Sequence, residues 1–205
     1  MNPIVRLPFT LSMLVALIAA GVYSRSHVGL LDEDVGRKAG YSMRLMIEGQ
    51  VHRVLTSLLF TAGGWRFYSS LVMFALAVGY VELHFGTLRA ASVFLGIHLA
   101  TLAVMTSGVA FADMFAKSHR GHLLWHVQDV GPSAGYYGCL GLAIAASAWP
   151  YRWSIIGLIV AILCLRATWS FIHLPEDGRM LSADLAHLIA LPLGIASFQI
   201  FHFQS

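Results

Sequence analysis

The sequence predicts an all-α polytopic membrane protein, a bundle of six transmembrane helices built as a single domain over residues 1–205. Three observations predict it. Only 11% of the residues are charged and 58% are hydrophobic, with a mean hydropathy of +0.72, whereas a soluble domain carries roughly a quarter charged residues. Apolar runs recur at lengths that approach the ~17–25 residues needed to cross a bilayer as a helix. Finally, Trp65, Trp125, Trp149, Tyr151 and Trp153 fall at the ends of those runs, where amphipathic rings settle at the headgroup level.

The predicted spans, in order, are residues 8–23, 67–82, 88–114, 131–149, 153–173 and 182–203. Arg6 precedes the first as it would precede a signal peptide, but no small-x-small site closes the run and membrane-like sequence follows, so it reads as a retained span. Between the first two spans lies a long polar connection, Ser24 to Trp65. Its stretch Tyr41–Phe60 mixes apolar and charged residues at helical spacing, which predicts short helices at the membrane surface. A second connection, Phe115 to Val130, is polar, rich in histidine and read as a loop.

The remaining composition narrows the function classes. Thirteen Lys and Arg give a formal charge of +3, but they are scattered, without the dense basic patch that tracks a phosphate backbone, so the lipid bilayer and not nucleic acid is the expected partner. Cys139 and Cys164 lie inside apolar runs and read as small core residues. His119, His122 and His126 have a spacing open to a metal, but only Asp113 and Asp129 stand nearby, and a wet loop is the simpler reading. No metal or other cofactor is expected. Arg166 falls inside the fifth span, where an isolated charge is expensive, and Asp184 is its natural ion partner. Phe198, Phe201 and Phe203 read as lipid-facing anchors.

Two spans carry small residues at helical period. Ala134, Gly138, Gly141 and Ala145 line the fourth; Ala183, Ala186, Ala190 and Gly194 line the sixth. Helix association in lipid rests on close van der Waals contact, so two smooth stripes favour direct packing of these helices. Bordering them are Gly131-Pro132-Ser133 and Ala186-His187. A serine and a histidine on closely packed helices are what a minimal nucleophile and general base require. A lone membrane serine usually bonds its own i−4 carbonyl, and a lone histidine can simply tie two helices together.

The joint pattern resembles the rhomboid family of intramembrane serine proteases. The family's fourth helix opens on G-x-S, with a tyrosine four residues after the serine and a glycine eight after; its sixth carries A-H among small residues. Here stand Gly131-Pro132-Ser133, Tyr137, Gly141, Ala186-His187, Ala190 and Gly194. Upstream, Arg53 and Thr56 resemble the first-loop W-R motif, and Glu82 with Gly86 the E-x-x-x-G that ends the second helix. The resemblance covers roughly residues 50–200, and the phrase from Asp129 to Ser133 looks like a divergent bacterial branch.

The resemblance implies a protease of the bacterial inner membrane that cuts transmembrane segments of other membrane proteins. Ser133 would be the nucleophile, His187 the general base, Tyr137 the ring packed on the imidazole and Glu82 a structural residue. The chain departs from the family where two oxyanion donors would stand on the second helix: gapless counting from Glu82 places Arg66 and Ser70 there. His52 replaces the motif tryptophan, and Ala134 the glycine after the serine. Arg66 is expected to point toward Ser133 as a substitute donor, with Ser70 and Gly131 in support. A non-cutting relative that only binds transmembrane helices is the alternative of a different class.

Overall fold

The computed structural model describes residues 6–116, 119–173 and 178–202. Within them the chain is helical, with two isolated β-bridges. The helices are α1 (Pro8–Tyr23), α2 (Glu33–Ala39), α3 (Met43–Ile47), α4 (Arg53–Thr56), α5 (Trp65–Phe85), α6 (Thr87–Ala116), α7 (His119–His126), α8 (Ser133–Ala146), α9 (Arg152–Ile172) and α10 (Arg179–His202). Helices α5, α6, α9 and α10 are long and apolar enough to cross a membrane; α1 and α8 are apolar but shorter. The protein is thus an all-α membrane protein.

The predicted fourth span is trimmed at both ends. Pro132 stands at the N-cap of α8, where its fixed φ and missing N–H suit a helix start, and Ser147 leaves the helix in an extended conformation just ahead of Trp149-Pro150. The predicted loop from Phe115 to Val130 is corrected too: α6 continues to Ala116, and His119–His126 form α7, which buries Leu124 while His122 and His126 stay exposed. Trp125 lies on α7, partly buried, and not at the end of a long helix. By contrast Trp65, Trp149, Tyr151 and Trp153 are exposed at helix ends.

Helix α8 is the hub, in contact with α5, α6, α9 and α10, and its pairing with α10 is the most extensive in the molecule. The small stripes make this possible. Ala134, Gly138, Gly141 and Ala145 are all buried, as are Ala186, Ala190 and Gly194. A Cβ on Gly194 would run into the backbone carbonyl of Gly138, and one on Gly141 into that of Leu191. The two helices therefore touch backbone to backbone, and they run parallel, since Asp129 meets Ser182 where both begin and Tyr137 meets His187 farther along. Gly135 instead makes room for the Phe94 ring of α6, which a Cβ there would meet first.

Polar anchors fix the two ends of the bundle. At one end Glu82 of α5 accepts the N–H groups of Phe9 (2.9 Å) and Thr10 (2.7 Å) and the hydroxyls of Thr10 (2.6 Å) and Thr87 (2.8 Å). A carboxylate from another helix thus caps the first turn of α1, where orphan N–H groups and the helix dipole both favour negative charge. At the other end, Asp32 caps α2. Arg53 then binds the carbonyls that close it, Arg37 (2.8 Å) and Gly40 (3.0 Å), while the Thr56 hydroxyl takes that of Ala39 (3.0 Å).

This folded first connection lies over the same end as α7 and the start of α10. Tyr41, Met43 and Val54 share an apolar cluster with Leu102, Met105, Leu124, Val127 and Leu181. Two expectations about packing change. Cys139 is buried, but Cys164 is exposed on α9, because that helix buries only a narrow face. Phe198 is partly buried against the main core and is not a lipid-facing anchor; the side chains of Phe201 and Phe203 lie outside the described residues.

Candidate active site

Ser133 is the first residue of α8 and is partly exposed. The chain reaches it through a backbone that only glycine takes readily: Gly131 has φ 142°. Its N–H is donated to the Ser57 carbonyl at 2.9 Å, which ties the serine turn to the first connection. A Cβ on Gly131 would stand 3.8 Å from Ser133 Oγ, so the missing side chain leaves room beside the hydroxyl.

His187, on α10, is 7% exposed and stacks on Tyr137 of α8, ring centroids 4.0 Å apart and planes at 17°. Tyr137 lies one turn beyond Ser133, on the same face of α8. Tyr137 and His187 are thus in contact, and Ser133 stands one turn back along α8. No hydrogen bond joins them: both imidazole nitrogens are buried without a hydrogen-bonding partner. Such a pair of unmet groups is costly in a buried site, and apo catalytic hydrogen bonds are often open until substrate binds.

The two expected substitutes for oxyanion donors sit differently. Ser70 faces α8, its hydroxyl against the Tyr136 phenol. Arg66, at the mouth of α5, is exposed and its guanidinium donates no hydrogen bond among the described residues. Arg66 lies one turn before Ser70 on the same face of α5, and no contact between it and Ser133 is present among the described residues. Around Ser133, the first-turn N–H groups of α8 have no intrahelical acceptor and no side-chain cap.

Arg166 pairs with Asp184 at 2.8 Å, close enough for an ion pair though not aligned as a hydrogen bond. Ser170 donates to the other carboxylate oxygen at 2.7 Å. Asp184 is fully buried and lies one turn before His187 on α10. The expected structural pair is therefore present, and it joins α9 to the helix that carries the histidine. The His122 and His126 rings lie 4.3 Å apart, tilted at 34°, and both residues are exposed. The described residues hold no group of three metal-ligating side chains, and the side chain of His119 lies outside them.

Sequence reasoning did not assign a role to Asp129, Ser182 or Tyr41. Asp129 exchanges both backbone hydrogen bonds with Tyr41 (2.8 and 2.9 Å), and its carboxylate takes the Val130 N–H (2.8 Å) and the Ser182 hydroxyl (3.1 Å). The Tyr41 phenol is bonded to Leu102 O (3.2 Å) and Thr106, and burial pushes its pKa up, which keeps it a donor. Only the closeness of Asp129 to Gly131 in the sequence could have pointed to it. No protein-family model matches this chain, and no curated protein matches it.

Proposed function

We propose that the protein is a rhomboid-like intramembrane serine protease, of six transmembrane helices, that hydrolyses peptide bonds in or near transmembrane segments of other membrane proteins. The observation that carries this reading is the α8–α10 contact. It sets the His187 ring, with both nitrogens unmet, on Tyr137 one turn from Ser133. Ser133 Oγ attacks the peptide carbonyl carbon while His187 takes its proton, and the imidazolium returns that proton to the leaving amine. Water then repeats the sequence on the acyl-enzyme, regenerating the serine and releasing the acid. The first-turn N–H groups of α8, at the positive end of the helix dipole, are the donors best placed for the developing oxyanion. Six membrane crossings follow from the same reading, since α1 and α8 run between the same two ends of the bundle as the four long helices.

A second reading, a pseudoprotease that holds transmembrane helices without cutting them, is favoured by Arg66 being exposed and Ser70 being engaged by Tyr136. One missing oxyanion donor alone costs ~10²–10³ in rate. The deciding experiment is covalent labelling of the purified protein by a fluorophosphonate. The protease reading expects labelling of the parent and none of Ser133→Ala. An unlabelled parent with its α8–α10 contact intact leaves the second reading standing.

A further inference from the structure

The turn before Ser133 and the start of the helix that carries His187 are joined by a side chain the proposed chemistry does not use. Asp129 lies four residues before Ser133 and Ser182 five before His187. The carboxylate of Asp129 accepts the buried Ser182 hydroxyl through one oxygen (3.1 Å) and the Val130 N–H through the other (2.8 Å). Its backbone is paired with Tyr41, and Gly131, two residues on, is held by Ser57. One residue thus links the serine turn, the first connection and the first turn of α10, the last through its side chain.

Such a link matters because of how α8 and α10 meet. Gly138, Gly141 and Gly194 bring the backbones together, but a smooth glycine surface offers few interlocking side chains to stop one helix sliding along the other. A slip of one residue moves a helix by ~1.5 Å, and a misplacement of ~1 Å can cost ~10²-fold in rate. A directional hydrogen bond near the reacting groups supplies the axial restraint that the stripes lack.

We infer that Asp129 is a positioning residue that sets the axial register of His187 against Ser133 through its hydrogen bond to Ser182. It touches no reacting atom, and the inference rests on the dyad proposed above. The test is saturable fluorophosphonate labelling of the full-length protein in detergent, read as limiting rate, half-saturating concentration and final extent.

Asp129→Ala and Ser182→Ala should each slow the limiting rate by ~10- to 100-fold, with the half-saturating concentration and final extent unchanged. The double variant should be no slower than Asp129→Ala. Asp129→Asn should stay within about threefold of the parent, since its amide keeps an acceptor for the Val130 N–H and a donor for Ser182 Oγ. A merely structural role would lower the final extent and leave the rate of the labelled fraction alone, which overturns the inference. So does a parental rate in both single variants, or an asparagine variant as slow as the alanine. Should Asp129→Ala not fold, Ser182→Ala, which removes one hydroxyl, decides alone. A labelled parent with unaffected variants defeats this inference only; an unlabelled parent defeats the dyad and this with it.

Discussion

In the proposed dyad Ser133 and His187 act as one unit, and this sets the first prediction. Ser133→Ala and His187→Ala should each abolish fluorophosphonate labelling and proteolysis, a loss of at least ~10³-fold, and the double variant should add little. The serine variant should unfold at the parental temperature; losing the Tyr137 stack should cost the histidine variant about 1 kcal/mol. Arg66→Ala, in contrast, should change the labelling rate by less than about twofold, because the guanidinium is exposed and has no hydrogen-bond partner among the described residues. A large drop would restore Arg66 as an oxyanion donor. The sequence pointed to Ser133 and His187 because helical spacing places them beside stripes that can only be buried together, and to Tyr137 through the resemblance alone. It could not place the Arg66 guanidinium, since spacing sets the face of a helix that a residue occupies and not where the end of a long side chain goes. Asp129 and Ser182 were illegible for a different reason: a carboxylate on extended chain has no period, and its partner lies 53 positions away.

At the scale of the helices, the α8–α10 seam and the Glu82 anchor make separate predictions. Gly194→Val should destabilise the fold by ~1–3 kcal/mol or more, because its Cβ meets the Gly138 carbonyl. Gly96→Val, where nothing lies within 4 Å, is the matched control and should be close to neutral in thermal unfolding. Equal loss from both would mean that helix propensity and not the seam is being measured. Glu82→Ala strips four acceptor contacts from α1 and Thr87, so a loss of ~2–3 kcal/mol is expected, with α1 the first segment to lose protection in hydrogen exchange. Most helix limits were readable from apolar run length. Helix α8 was overestimated because protein surrounds it: a helix enclosed by α5, α6, α9 and α10 need not match the ~30 Å of hydrocarbon. The extended chain before it has its backbone satisfied by Tyr41 and Ser57. Helix α7 was missed because its histidines hide a short apolar face.

Across the whole molecule, contacts sort the connections onto two ends of the bundle. Residues 24–64, the chain before Ser133 and the start of α10 share one end through Tyr41, Asp129 and Ser182; the start of α1, the end of α5 and the start of α6 share the other through Glu82. Which end faces the cytoplasm is a matter of charge and motif, and the two disagree. The proposed fold puts the amino terminus inside and the first connection outside, yet that connection carries Arg25, Arg37, Lys38, Arg44 and Arg53, which positive-inside counting would keep in the cytoplasm. The motif register decides the expected outcome, a cytoplasmic amino terminus, because a connection that carries its own short helices, α2 to α4, can hold basic side chains at the outer headgroups. Leu30, 79% exposed in the first connection, replaced by cysteine in a background without Cys139 and Cys164, should react with a membrane-impermeant maleimide added to intact cells. Labelling that appears only after the membrane is opened would invert the topology and put the Ser133 end of the bundle in the cytoplasm.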